Sequence, residues 1–159
     1  MKEPATIIGR SEPVTFPELN LTGVSARIDT GAKTSSIWAS AISEHDGQLT
    51  FTLFDTGSKY YTGAIIVTKQ YAQKVVASSN GISEERYVVK LLVVLGTRKI
   101  RGRFTLANRA TQAYPVLVGR NILRGKFLVD VTKGQPLLSE ERRRSKELQA
   151  RLSQRKDQA

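Results

Sequence analysis

The chain has no cysteine and only one histidine, one tryptophan and one methionine in 159 residues. Without thiols, disulfides, thiolate metal sites and cysteine nucleophiles are excluded. A structural zinc site takes four Cys or His ligands, which His45 alone cannot supply, so no metal is expected. A Ser-His-Asp triad would have to recruit His45, which lies in the turn-like run His45-Asp46-Gly47. Long apolar runs are missing as well. Nothing approaches the roughly 18 residues that span a bilayer, so no membrane is expected. The opening Met1-Lys2-Glu3-Pro4 leads into no apolar stretch of the secretory type, and the expected location is cytoplasmic.

Acidic residues are the scarcer charge: 14 Asp and Glu stand against 25 Lys and Arg, a net charge of +11. Residues 1–139 hold 18 basic and 10 acidic side chains, so most of the excess belongs to the main body and not to the last twenty residues. Such a field favours an acidic partner, either a glutamate-rich peptide or a nucleic acid, against the plainer reading of solubility alone.

Helical periodicity is scarce before residue 120. Short runs of Val, Ile, Thr, Tyr and Phe, separated by Gly, Asn or Asp, predict an all-β domain. Strands are expected at 6–8, 24–28, 37–42, 49–54, 60–67, 114–119 and 127–131, with 12–22 a loop around two prolines that includes an extended piece. Residues 69–77 fit a strand or a helical turn equally. Residues 86–95 and 98–106 form the clearest hairpin, and Lys99, Arg101 and Arg103 share one face of its second strand. A short helix is expected over 121–124, stopped by Gly125. From Ser139, a plausible N-cap, the composition turns highly charged. The division expected is a domain of residues 1–138 and a helical or disordered tail of 139–159.

The run Val24-Ser25-Ala26-Arg27-Ile28 ends in Asp29-Thr30-Gly31-Ala32. One carboxylate closes an alternating strand, followed by a hydroxyl and by the residue best suited to a tight turn. The competing reading is a carboxylate that caps its own turn. A second signal, Leu117-Val118-Gly119-Arg120, follows about ninety residues later. Together the two resemble the signature of retropepsin-type aspartic peptidases over about residues 5–131. More narrowly, Ile28–Ser36 looks like a bacterial group labelled ATP-dependent zinc proteases, whose members are retropepsin-like and associated with RimK-like glutamate ligases. No Gly-rich loop ending in Gly-Lys-Ser/Thr is present, so neither ATP nor any other cofactor is expected.

The resemblance implies a closed, barrel-like all-β fold with one short helix, and a set of roles. Asp29, Thr30 and Gly31 would be catalytic. Two carboxylates sharing one proton activate a water, so a chain with one such Asp needs a symmetric homodimer. Thr30 would brace the paired loops, Gly31 would admit water and substrate, and Ala32 would leave room for substrate main chain. Where retroviral relatives carry an acid that pairs with the later Arg, this chain has Lys33 facing Arg120. Lys33 and Arg120 are therefore expected to share a substrate carboxylate, with Arg101 and Arg103 adding to the acidic-substrate site. The expected substrate is an acidic peptide or polyglutamate-tailed protein. Aromatics are not interleaved with the cations as single-strand binding demands, so nucleic acid is not expected. The alternative is a non-catalytic basic β-domain that binds an acidic protein or nucleic acid. Asp55-Thr56-Gly57 repeats the triplet but lacks the flanking pattern and reads as a turn. Flap candidates are the hairpin at Asp46-Gly47 and the segment 55–63.

Overall fold

A computed structural model describes residues 2–77 and 81–158; Met1 and Ala159, at the two ends of the expected division, lie outside them. Among the described residues eleven strands run in chain order: β1 Thr6–Ile8, β2 Ser11–Phe16, β3 Leu21–Ile28, β4 Ser35–His45, β5 Gln48–Leu53, β6 Ile65–Thr68, β7 Ala72–Ala77, β8 Ser83–Leu95, β9 Arg98–Ala107, β10 Val116–Val118 and β11 Phe127–Val129. Two helices complete the set, α1 Arg120–Leu123 and α2 Leu138–Asp157. Six strands close a ring, because β10 pairs with both β3 and β4 while β2, β8 and β9 connect those two the other way round. The chain is all-β apart from the short helix and the C-terminal one.

Alternation decides what the ring encloses. Gly102, Phe104 and Leu106 of β9 point inward while Arg101 and Arg103 stay exposed. Phe16, Phe51, Phe54 and Phe104 are fully buried, with the Phe16 and Phe104 rings edge to face at 5.7 Å. Asp46 and Gly47, both at positive φ, make the two-residue turn between β4 and β5, as the Asp-Gly pair predicts.

Several expectations need correction. The stretch 12–22 is more regular than a loop with one extended piece: it holds most of β2, a 3-10 turn over Pro17–Leu19, and the start of β3. Pro13 is tolerated because β8 reaches β2 only at Val14 and Thr15, so the ladder on that side has ended. Within 60–67 only Ile65 onward is strand. Tyr60 instead packs its ring, tilted, against Phe54 with centroids 5.5 Å apart, and its hydroxyl accepts the Ser25 N–H. The undecided segment contains β7, paired with β8 from Ala72 to Ala77. β11 stops at Val129 because the Asp130 carboxylate turns the chain by accepting the Thr132 N–H and hydroxyl. Helix α1 begins one residue early, at Arg120.

Ser139 is not the N-cap of α2. The helix starts at Leu138, after Leu137, with no side-chain cap. Tertiary contacts fix that start. The Leu137 N–H donates to the Tyr114 hydroxyl, which in turn donates to Glu141, and Arg10 grips the Glu141 carboxylate with both terminal nitrogens at 2.9 and 3.2 Å.

Candidate active site

Strand β3 carries Ile28 into the core, at 6% exposure, and delivers Asp29 to the rim of the ring. The parallel pairing of β3 with β10 continues one bond further, as the Asp29 N–H donates to the Val118 carbonyl at 2.9 Å. The chain then turns. Asp29 Oδ1 accepts the Gly31 N–H at 2.9 Å, and the Ala32 N–H returns to the Asp29 carbonyl at 3.3 Å. Oδ1 thus caps its own turn, the very geometry of the competing reading, while Oδ2 accepts no hydrogen bond from the described residues. Asp29 is half-buried, and Thr30 and Gly31 are exposed, so the carboxylate is presented at an open edge.

Helix α1 holds this turn. Its first N–H groups lack partners inside the helix and take carbonyls from the turn: Arg120 N–H to Ala32 at 2.8 Å and Asn121 N–H to Lys33 at 3.2 Å. The Arg120 guanidinium donates to the carbonyls of Thr30 and Gly31 at 3.2 and 2.9 Å. Fully buried Ser35 accepts the Gly119 N–H and donates to Asn121 Oδ1, and Asn121 passes its amide N–H to the Arg103 carbonyl. A Cβ at Gly119 would lie 2.3 Å from the Thr34 carbonyl oxygen, so the apolar-apolar-Gly motif is needed for close backbone approach. The two sequence signals are therefore one packed unit.

The other expected site residues divide. Lys33, Arg101 and Arg103 line one open groove of about 1010 Å³, together with Lys74, Lys90 and Asn121. Arg101 is ion-paired to Glu18 there, both being half exposed. Arg120 is not among the residues lining that groove, and neither is Asp29. With a lysine at position 33 in place of an acid, the Arg120 guanidinium turns to loop carbonyls instead. The second Asp-Thr-Gly, Asp55–Gly57, is a turn, with Asp55 Oδ1 accepting the Thr56 N–H, and it lines a separate hollow of about 510 Å³. Among the described residues no three His, Cys, Asp or Glu gather as metal ligands would, and no helix is long and apolar enough to cross a membrane.

Sequence reading missed the arginines behind Asp29. Arg27 precedes it by two residues on the same strand face, a signal available from alternation alone. Arg109, after β9, donates from Nε to the Tyr114 carbonyl at 3.0 Å and from Nη1 to Ser36 Oγ at 3.3 Å. Its pKa is lowered to about 10, first by burial and then by Arg86, Arg27 and Arg144, with the Asp29 carboxylate opposing.

Comparison with known proteins fits this geometry. A family model described as retropepsin-like aspartic endopeptidase RimB matches residues 7–135. A probable alpha-L-glutamate ligase of Shewanella pealeana is 34% identical over 134 residues, covering 82% of this chain and 29% of the ligase. A ligase of the same name from Parasynechococcus marenigrum is 30% identical over 78% of this chain and 28% of its own length. The chain thus spans under a third of the curated relatives it matches. A crystal structure of a Legionella pneumophila protein of unknown function has a TM-score of 0.60 and 31% identity, over 81% of this chain and 95% of that one. The chain belongs to the RimB-like family of retropepsin-like aspartic endopeptidases.

Proposed function

We propose that the protein is an aspartic peptidase that cuts acidic peptides, chains of linked glutamate above all, with a water activated between the Asp29 carboxylates of two copies. The observation that carries this reading is the held yet open Asp29: its backbone and Oδ1 are fixed by the turn, while Oδ2 is free of hydrogen bonds from the described residues. One chain supplies one such carboxylate. A second copy would supply the other, one acting as base and one as acid, since two close carboxylates do not both ionise readily. Rigid placement is what such catalysis requires, and the Arg120 and α1 contacts give it. Ile7 and Leu128, in register on the β1–β11 pair and both exposed, are apolar side chains that a second copy would cover.

Three features support an acidic substrate. The net charge is +11. The groove with Lys33, Lys90 and Arg103 is cationic. Curated relatives are named for joining glutamate, and a hydrolase of the same chemistry would act on what such a ligase makes. The test is incubation of the purified protein with poly-α-glutamate, beside Asp29→Asn and Asp55→Asn. Wild type and Asp55→Asn should shorten the polymer and Asp29→Asn should not. Shortening by Asp29→Asn at the wild-type rate would refute the reading.

A further inference from the structure

The register of three strands sets a row of side chains behind Asp29. Arg27 of β3 pairs with Leu117 of β10, and Leu117 pairs with Ser36 of β4. Their neighbours Ala26, Val116 and Ile37 are fully buried in the core, so this row faces the opposite way, the way Asp29 faces. Arg109 closes the row through its bond to Ser36 Oγ. Adjacent strands lie about 4.8 Å apart, so the row spans roughly 10 Å and ends in a guanidinium at each side. Arg86 enters from β8, where it is opposite Lys74 of β7. Arg144 enters from α2, donating to the Thr111 carbonyl in the loop that also holds Arg109.

These four cations have little to balance them. Arg86 Nη2 reaches Glu84 at 3.3 Å, yet its Nε is buried without a hydrogen-bond partner among the described residues. Glu141, the other acid near Arg27, is held by Arg10 and Tyr114. Arg109 spends Nε and Nη1 on the protein and keeps Nη2 unbonded among the described residues. Clustered like charges repel one another unless an anion joins them, and a guanidinium's fork matches a carboxylate in the plane.

We infer that Arg27, Arg86 and Arg109, with Arg144 of α2, form a carboxylate-binding subsite beside Asp29 that takes the acidic side chain of the substrate residue next to the cut bond. The subsite rests on the proposed peptidase activity, and none of its four arginines lines the groove of Lys33 and Arg103. It makes α2 part of the site and places the substrate's charge opposite fixed donors, where orientation and selectivity are both gained.

The test pairs enzyme and substrate changes. Hexa-α-glutamate is compared with six peptides that each carry one glutamine, using wild type, Arg27→Gln and Arg109→Gln. In wild type, glutamine at a position flanking the cut should lower kcat/KM by about 10–100-fold, the worth of a charge-assisted hydrogen bond. In Arg27→Gln, whose side chain is exposed and whose folding is therefore safe, that penalty should shrink to within about threefold. An unchanged penalty in both variants overturns the subsite while leaving the peptidase reading intact. If no peptide is cut, titration calorimetry with hexa-α-glutamate decides separately. Binding weakened at least about tenfold in Arg27→Gln upholds the subsite without the peptidase. Equal binding by wild type and variant overturns it, as does displacement of hexa-α-glutamate by an equimolar oligonucleotide.

Discussion

Replacing Gly119 by alanine tests whether the Asp29 turn and helix α1 form one packed unit. The new Cβ would lie 2.3 Å from the Thr34 oxygen, 2.7 Å from the Thr34 carbonyl carbon and 2.8 Å from the Ala32 oxygen. All three are backbone atoms, so no side chain can swing aside. Overpacking of this kind costs about 1–3 kcal/mol. The shift that relieves it stretches the Gly119 N–H bond to Ser35 at 2.9 Å and the Arg120 N–H bond to Ala32 at 2.8 Å. Each is worth about 0.5–1.5 kcal/mol net, which brings the expected loss to about 2–6 kcal/mol. For a chain of this size that lowers Tm by roughly 10 °C. Gly57→Ala is the control, because a Cβ there meets nothing within 4 Å. Thermal melts followed by circular dichroism give both values. A displacement of the turn by even about 1 Å should also cut peptidase activity roughly a hundredfold. A Gly119→Ala protein that melts with the control would refute the packing argument.

Three further outcomes follow from the same contacts. Arg120→Ala removes the two donations to Thr30 and Gly31 and should cost about 1–2 kcal/mol by chemical denaturation, with activity falling further than stability accounts for. Lys33→Glu reverses a charge lining the cationic groove and should slow cleavage of long glutamate chains far more than of neutral peptides at low salt; equal slowing of both would remove the groove from substrate binding. The Glu141 pKa is lowered from its usual 4.5, chiefly by its bond to Arg10. Because the folded value lies below the unfolded one, that contact's stabilisation is whole above about pH 4.5 and is lost as pH falls through the folded value. Protease susceptibility of α2 should therefore rise below that pH in wild type, and be high and flat in Glu141→Gln.

Much of this was legible in the residues themselves. Strand alternation gave the β9 face of Arg101 and Arg103, and Asp46-Gly47 gave a hairpin turn, because both depend on local backbone geometry. The pairing of Asp29 with Leu117–Gly119 came from resemblance, since nothing local in either run says that strands ninety residues apart lie side by side. What escaped was set by tertiary contacts. Ser139 has the chemistry of an N-cap, yet Tyr114 and Arg10 fix the start of α2 elsewhere. Pro13 reads as a strand breaker, but the neighbouring strand ends before it matters. Lys33 and Arg120 look like a pair in sequence, whereas the turn's carbonyls claim the guanidinium. Arg109 could not be connected to Asp29 without knowing that its loop folds back over β4.

In the proposed mechanism two Asp29 side chains, one from each of two copies, act on one water. Wild-type and Asp29→Asn chains, unfolded together and refolded at fixed total concentration, test it through the dependence of activity on mixing ratio. If each site needs both carboxylates, activity follows the square of the wild-type fraction and about a quarter remains in an equal mixture. Activity that falls in direct proportion, leaving about half, would mean that a single chain carries a complete site and would contradict the account.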